Sequence, residues 1–111
     1  MKIYRGATYS YPIQIKINKE VLSLEDIQRV EFAFGDDLIK TYPSSDNEVE
    51  RDDNKLIVKL TAEDTLSLTP NEPQRLQARV VFNDDSIKFT KGISFVAIDT
   101  QFSEEVTDND M

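Results

Sequence analysis

Apolar and polar residues alternate along most of the chain. Between residues 9 and 17 every second residue is Tyr or Ile, and a period of two recurs in four further segments, 30–34, 56–60, 76–82 and 93–98. This period is typical of β-strands, in which successive side chains point to opposite faces. Shorter strands are predicted at Leu38–Tyr42, around Glu48–Arg51 and at Ile87–Thr90.

Acidic turns are predicted between these strands. The segments 34–40 and 82–88 share a plan of strand, acidic turn and strand, with Gly, Asn and Asp at the turn. These residues tolerate the positive φ values of tight hairpins. The likeness fits an internal duplication, or two turns that met the same steric demand independently. Pro12 lacks a donor N–H, so the first strand is predicted to be an edge strand or to carry a bulge.

Helical signals are short. Ser23 is a candidate cap for a single helical turn. Thr61 is a stronger candidate for the N-cap of a helix, because acidic residues follow it in the first turn, and Pro70 limits the length of that helix. The segment Leu60–Thr65 looks like the corner between strands E and F of immunoglobulin domains, although the corner tyrosine and the cysteine pair are missing. We therefore predict an all-β, immunoglobulin-like antiparallel β-sandwich of seven or eight strands. A barrel stays open as the alternative.

Charge divides the chain unevenly. Its 13 basic and 21 acidic residues give a net charge of −8, of which residues 103–111 carry −4 through Glu104, Glu105, Asp108 and Asp110. We predict a single β-sandwich domain over residues 1–102 and a disordered acidic tail over 103–111. An acidic chain repels phosphate backbones and anionic lipid, so neither nucleic acid nor a membrane is expected as a partner. Apolar runs stay well short of the ~18 residues that span a membrane, and the first residues lack the apolar run of a signal peptide, so we expect neither feature.

The composition excludes several kinds of catalysis. The chain has no Cys and no His, so thiolate nucleophiles, zinc–thiolate sites and Ser–His–Asp triads are absent. Its three glycines are isolated, and no phosphate-binding loop is formed. The adjacent carboxylates Asp36/Asp37, Asp52/Asp53 and Asp84/Asp85 lie in predicted turns and do not face each other across a cleft. We predict a protein that is not an enzyme and has no cofactor.

Two binding sites stay open as alternatives. Residues 46–54 are rich in oxygen ligands for a weak surface Ca²⁺ site, although the EF-hand spacing is absent and Arg51 adds a cation. Tyr9 and Tyr11 share a face that would suit stacking on a base or sugar, but Ile13 and Ile15 continue that face as a core stripe would.

Two predicted strands are apolar on both faces. If Val80, Phe82, Phe95 and Ala97 face the core, then Val81, Val96 and Ile98 face outward. We identify Val81, Val96 and Ile98 as candidates for a protein–protein interface. The alternative is that outward Val and Ile serve β-propensity alone.

The residues Met1–Thr8, the alternating strand after them and the Leu76–Lys88 hairpin resemble small structural proteins of phages and prophages of Gram-positive bacteria. The N-terminal domain of upper baseplate proteins begins similarly, and the resemblance covers roughly residues 1–100. It implies a tail, baseplate or assembly role in a virion or the host bacterial cytoplasm. The partners would be other phage structural proteins or the chain itself. A carbohydrate- or calcium-binding module and an acidic binder of a host protein are the alternatives.

Overall fold

The computed structural model describes residues 1–36 and 38–100, and these residues are mostly β-strand. Eleven strands lie within this part of the chain: β1 Lys2–Tyr4, β2 Tyr9–Ile13, β3 Lys16–Ile17, β4 Glu20–Val21, β5 Ile27–Phe34, β6 Leu38–Tyr42, β7 Val49–Asp52, β8 Lys55–Leu60, β9 Pro73–Phe82, β10 Ile87–Phe89 and β11 Ile93–Ile98. A 3-10 turn covers Leu24–Asp26, and one α-helix, α1, covers Ala62–Leu66. No described helix is long and apolar enough to cross a membrane.

The strands form one large sheet, one small sheet and a hairpin. The large sheet has the order β1, β11, β9, β5, β6, and β10 joins it by pairing with β9 beyond the end of β11. The small sheet has the order β2, β8, β7, and β3 pairs only with β4. All named pairs are antiparallel except that of β1 with β11, in which Ile3 lies opposite Ala97.

Both sheets bury side chains in one hydrophobic cluster. The large sheet contributes Val30, Phe32 and Phe34 from β5, and Leu76, Ala78 and Val80 from β9. The small sheet contributes Leu56, Val58 and Leu60 from β8 and Val49 from β7. Because strand side chains alternate, the intervening residues of β5 and β9 must lie on the other side of the large sheet. That side is referred to below as the outer face.

Several local predictions are confirmed. Pro12 lies in β2, which is an edge strand of the small sheet. Ser23 caps the 3-10 turn. Thr61 caps α1 in a capping box, in which its Oγ1 accepts from Asp64 N at 3.1 Å and Asp64 Oδ2 accepts from Thr61 N at 2.8 Å.

Other predictions need correction. The single strand expected over residues 9–17 is divided into β2, which ends at Ile13, and β3. Asn18 and Lys19 adopt positive φ values of 53° and 69° in the turn of the β3–β4 hairpin. The chain has more strands than the seven or eight predicted, and its sheets are not wholly antiparallel. Phe102 and the tail predicted for residues 103–111 lie outside the described residues.

Candidate functional site

The outer face of the large sheet carries apolar side chains where a solvated sheet would be polar. The ladder places Ala33 of β5 opposite Ile39 of β6 and Gln77 of β9. It also places Ile87 and Phe89 of β10 opposite Val81 and Arg79 of β9. Directly opposed residues share a face, so these side chains line one continuous surface.

A depression lies in this surface. Ile39 and Phe89 form its walls, and each is 58% exposed. Ala33, Gln77 and the Glu31–Arg79 pair line the rest of a space of about 240 Å³. Its apolar walls and charged rim suit an apolar anchor residue of another protein.

A charged cluster borders this depression. Arg79 donates to both carboxylate oxygens of Glu31, with Nη2 at 2.8 Å from each and Nε at 3.1 Å from Oε1. Arg29 Nε lies 3.2 Å from the same Oε1. The cluster therefore has two cations and one anion, and both arginine side chains are about half exposed. Arginine forks of this kind are common in protein interfaces.

The structure separates the three predicted interface residues. Val81 lies on the outer face, as predicted, but it is only 5% exposed, so it offers almost no accessible surface. Val96 and Ile98 also lie on the outer face, where they pair with Lys2 and Tyr4 of β1, and both are partly exposed. Val81 and the Val96–Ile98 pair therefore sit at different places on the sheet and do not form one patch. Their part in an interface stays a prediction.

Sequence reasoning missed the most exposed large apolar residues of this face, Ile39, Ile87 and Phe89. The alternation Ile87-Lys88-Phe89 was an available signal, because it places two apolar residues on one side of a short strand. The outward position of Ile39 was harder to predict from the sequence. A strand containing Leu38, Ile39 and Lys40 would normally be placed with the lysine outward, whereas Lys40 is buried here.

Lys40 occupies a second charged cluster, on the inner side of β6. Its Nζ lies 2.9 Å from Glu48 Oε1 and 2.7 Å from Asp64 Oδ2. Burial disfavours the charged form of Lys40, but the hydrogen bonds and charges of Asp64 and Glu48 outweigh it and raise the pKa of Lys40. Burial likewise opposes ionisation of Asp64, but Lys40 and the Thr61 N–H outweigh it and lower the pKa of Asp64. The cluster joins β6, the β6–β7 loop and α1.

The other candidate sites are occupied by local contacts. Within residues 1–36 and 38–100 no group of three or more carboxylates is placed to hold a metal ion. In the proposed calcium segment, Glu48 binds Lys40 and Glu50 binds Lys59. Tyr9 and Tyr11 stack with ring centroids 5.4 Å apart, and both pack against the core cluster. Burial, and to a lesser extent Tyr9, raises the pKa of Tyr11.

Comparison of the chain with models of known protein families and with curated proteins gave no match.

Proposed function

We propose that this chain is a non-enzymatic structural or assembly protein of a phage or prophage, and that it acts through protein–protein contacts made by the outer face. The resemblance of residues 1–100 to tail and baseplate proteins supports the phage origin. The outer face supports the mode of action. The proposed location is the virion or the host bacterial cytoplasm, and the proposed partners are other phage structural proteins or further copies of the chain.

The observation that carries this proposal is the exposure of Ile39, Ile87 and Phe89 on one sheet face. Burying them against a partner would gain about 25 cal/mol per Å² of apolar surface. Ile39 and Phe89 form the walls of a depression with a charged rim, which is the general anatomy of an interface with an apolar centre and polar edges. If these residues were present only because they favour strand conformation, a phenylalanine and two isoleucines would not need to be more than half exposed on one face.

The proposed architecture is the immunoglobulin-like sandwich. In immunoglobulin folds strands G, F, C and C′ form one sheet, and B, E and D belong to the other. The orders β11, β9, β5, β6 and β2, β8, β7 reproduce both sets in sequence. The helix α1 then falls between strands E and F, where the segment Leu60–Thr65 suggested that corner. This order favours the sandwich over the barrel.

A charge placed in the depression tests the proposed function. Ile39→Asp introduces a carboxylate on the outer face, and Val21→Asp is the matched control, since Val21 is 46% exposed in the β3–β4 hairpin, which belongs to neither sheet. Phage particles are purified from cells that supply each variant as the only copy, and the chain is quantified by mass spectrometry. We expect particles to contain wild type and Val21→Asp in stoichiometric amounts. The amount of Ile39→Asp in particles should be at least tenfold lower.

Two results would overturn the proposal. The proposed phage role is wrong if wild type is abundant in the lysate but absent from particles, and particles form in equal numbers in cells that lack the chain. The outer face is not the interface if Ile39→Asp enters particles as wild type does. Thermal unfolding of both variants confirms that each is folded.

The alternative functions have no such support. None of the contacts among the described residues favours a calcium or carbohydrate site. The acidic binder of a host protein depends on residues 103–111, which lie outside the described residues.

A further inference from the structure

A groove runs between the free edge of β2 and the large sheet, and Ile39 does not line it. One half of it is apolar, with a volume of about 410 Å³. Ile15 and Phe32 lie buried at its floor, and Tyr11, Ile13 and Ile93 line its sides. Ile93 is 57% exposed although it pairs with the core residue Leu76, so the core is open to solvent here.

The other half of the groove is cationic. It has a volume of about 600 Å³ and shares Lys16, Gln77, Thr90 and Lys91 with the apolar half. Four of the chain's 13 basic side chains line the groove, namely Lys16, Lys19, Arg75 and Lys91. No Asp or Glu lines either half among the described residues.

These four cations differ from most others in the molecule. Arg5, Arg29, Lys40, Arg51, Lys59 and Arg79 each form an ion pair. Within residues 1–36 and 38–100, none of the four groove cations does so. A concentration of unpaired positive charge in a chain of net charge −8 attracts an acidic ligand.

The chain itself contains a segment of matching chemistry. Residues 101–111 carry four carboxylates and no base, and they include Phe102 and Val106. An apolar pair flanked by carboxylates complements a groove that is apolar at one end and cationic at the other.

Phe102 cannot reach the Ile93 end of the groove in its own copy. Ile93 lies at the groove, and β11 carries the chain about 17 Å away from it, at ~3.3 Å per residue. Arg5 N donates to Ile98 O and Thr100 Oγ1 donates to Arg5 O, which holds Thr100 at the far end of β11. Phe102 lies two residues further on and reaches at most about 7 Å from Thr100.

We propose that the groove along β2 binds residues 101–111 of a second copy of the chain. Such a contact joins two different surfaces, so reciprocal exchange of the segment closes a dimer, and exchange in one direction generates a ring or an open filament. The groove and the depression of the outer face share Gln77, Ala78 and Phe89, and Ile39 lines only the depression. The proposal therefore stands on residues that the Ile39 test does not use.

Peptide binding tests the groove directly. A fluorescent peptide of residues 100–111 is titrated with the full-length chain, and anisotropy is measured at low and high salt. We expect saturable binding that weakens as salt rises, because the contact is partly electrostatic. The same peptide with Phe102→Ser and Val106→Ser keeps its charge and should bind at least tenfold more weakly.

Charge reversal locates the site. Lys16→Glu with Lys91→Glu should weaken peptide binding at least tenfold. The control Lys2→Glu with Lys55→Glu makes the same charge change at exposed positions outside the groove and should have little effect. Ile39→Asp should leave peptide binding unchanged, so failure of the proposed function and failure of this inference are distinguishable.

Complementation of full-length chains tests the second copy. The groove variant Lys16→Glu/Lys91→Glu and the segment variant Glu104→Lys/Glu105→Lys should each lose self-association in sedimentation experiments. An equimolar mixture should regain it, since each variant then meets an opposite charge. The inference is wrong if the peptide does not bind, if groove reversal leaves its binding unchanged, or if the mixture stays monomeric.

Discussion

Two clusters of three charged residues lie on opposite sides of the large sheet, on the neighbouring strands β5 and β6. Lys40 sits between Glu48 and Asp64 on the inner side and is 2% exposed. Glu31 sits between Arg29 and Arg79 on the outer side, where both arginines are about half exposed. A buried pair that loses one member leaves an uncompensated charge, whereas water solvates the survivor of an exposed pair. The inner cluster therefore serves the fold, and the outer cluster is available for recognition.

The largest effect is expected from Lys40→Met. This change removes the cation and leaves Asp64 and Glu48, which are 18% and 39% exposed, without their partner, so the free energy of unfolding should fall by about 2 kcal/mol. Urea denaturation monitored by circular dichroism measures the loss. Lys55→Met, at an exposed lysine, is the control and should change stability by less than about 0.5 kcal/mol. A loss below about 1 kcal/mol for Lys40→Met would show that the inner cluster does not support the fold.

The pH dependence of stability should reflect the same cluster. The pKa of Asp64 lies below its ordinary 3.8, so its contribution is present above about pH 4 and is lost as pH falls through the lowered pKa. The pKa of Lys40 lies above its ordinary 10.5, so its contribution is complete below that pH and is lost as pH rises through the raised pKa. The stability difference between wild type and Asp64→Asn should therefore be largest near neutral pH and shrink in acid. A difference that does not vary with pH would contradict this assignment.

A smaller effect is expected from Thr61→Ala. The change removes the hydroxyl that caps α1 and should cost about 1 kcal/mol. Thr61→Ser keeps the capping oxygen and should retain most of the stability. Thermal melts at pH 7 compare the two variants, and equal losses would indicate that capping by the side chain is unimportant.

The smallest effect on stability is expected from Glu31→Gln. It removes the anion of the outer cluster, and ion pairs at the surface contribute only about 0–1 kcal/mol. We expect a change within about 1 kcal/mol in urea denaturation, together with reduced incorporation into particles. A loss as large as that of Lys40→Met would remove the distinction between the two clusters.

Much of the fold was readable from local pattern. Alternation located β5, β8, β9 and β11, and the missing N–H of Pro12 placed β2 at an edge. Thr61 and Asp64 predicted the start of α1 because capping depends on neighbours three residues apart. The β3–β4 hairpin was missed because Ile15 and Ile17 continue the apolar period through a change of direction, although Asn18 is a residue that favours positive φ.

The candidate site was less predictable, because it depends on contacts between distant residues. Lys40 faces inward, where its Nζ forms ion pairs with Glu48 and Asp64. Asp64 lies in the helix α1, 24 positions away in sequence. The inward position of Lys40 turns Ile39 outward and creates the wall of the depression. Val81 was placed on the correct face from alternation, but its burial depends on the neighbours that β5 and β10 bring to it.

The parallel pairing of β1 with β11 also constrains how the molecule is made. Ile3 lies opposite Ala97, so this edge of the large sheet cannot close until nearly all of the described chain has left the ribosome. Joining segments so far apart carries a loop-closure cost that local hairpins do not have, and such contacts form late in folding. Until then the edge of β11 that faces β1 is unpaired. The β1 segment of another newly made copy can pair with this edge as well as the β1 segment of the same chain.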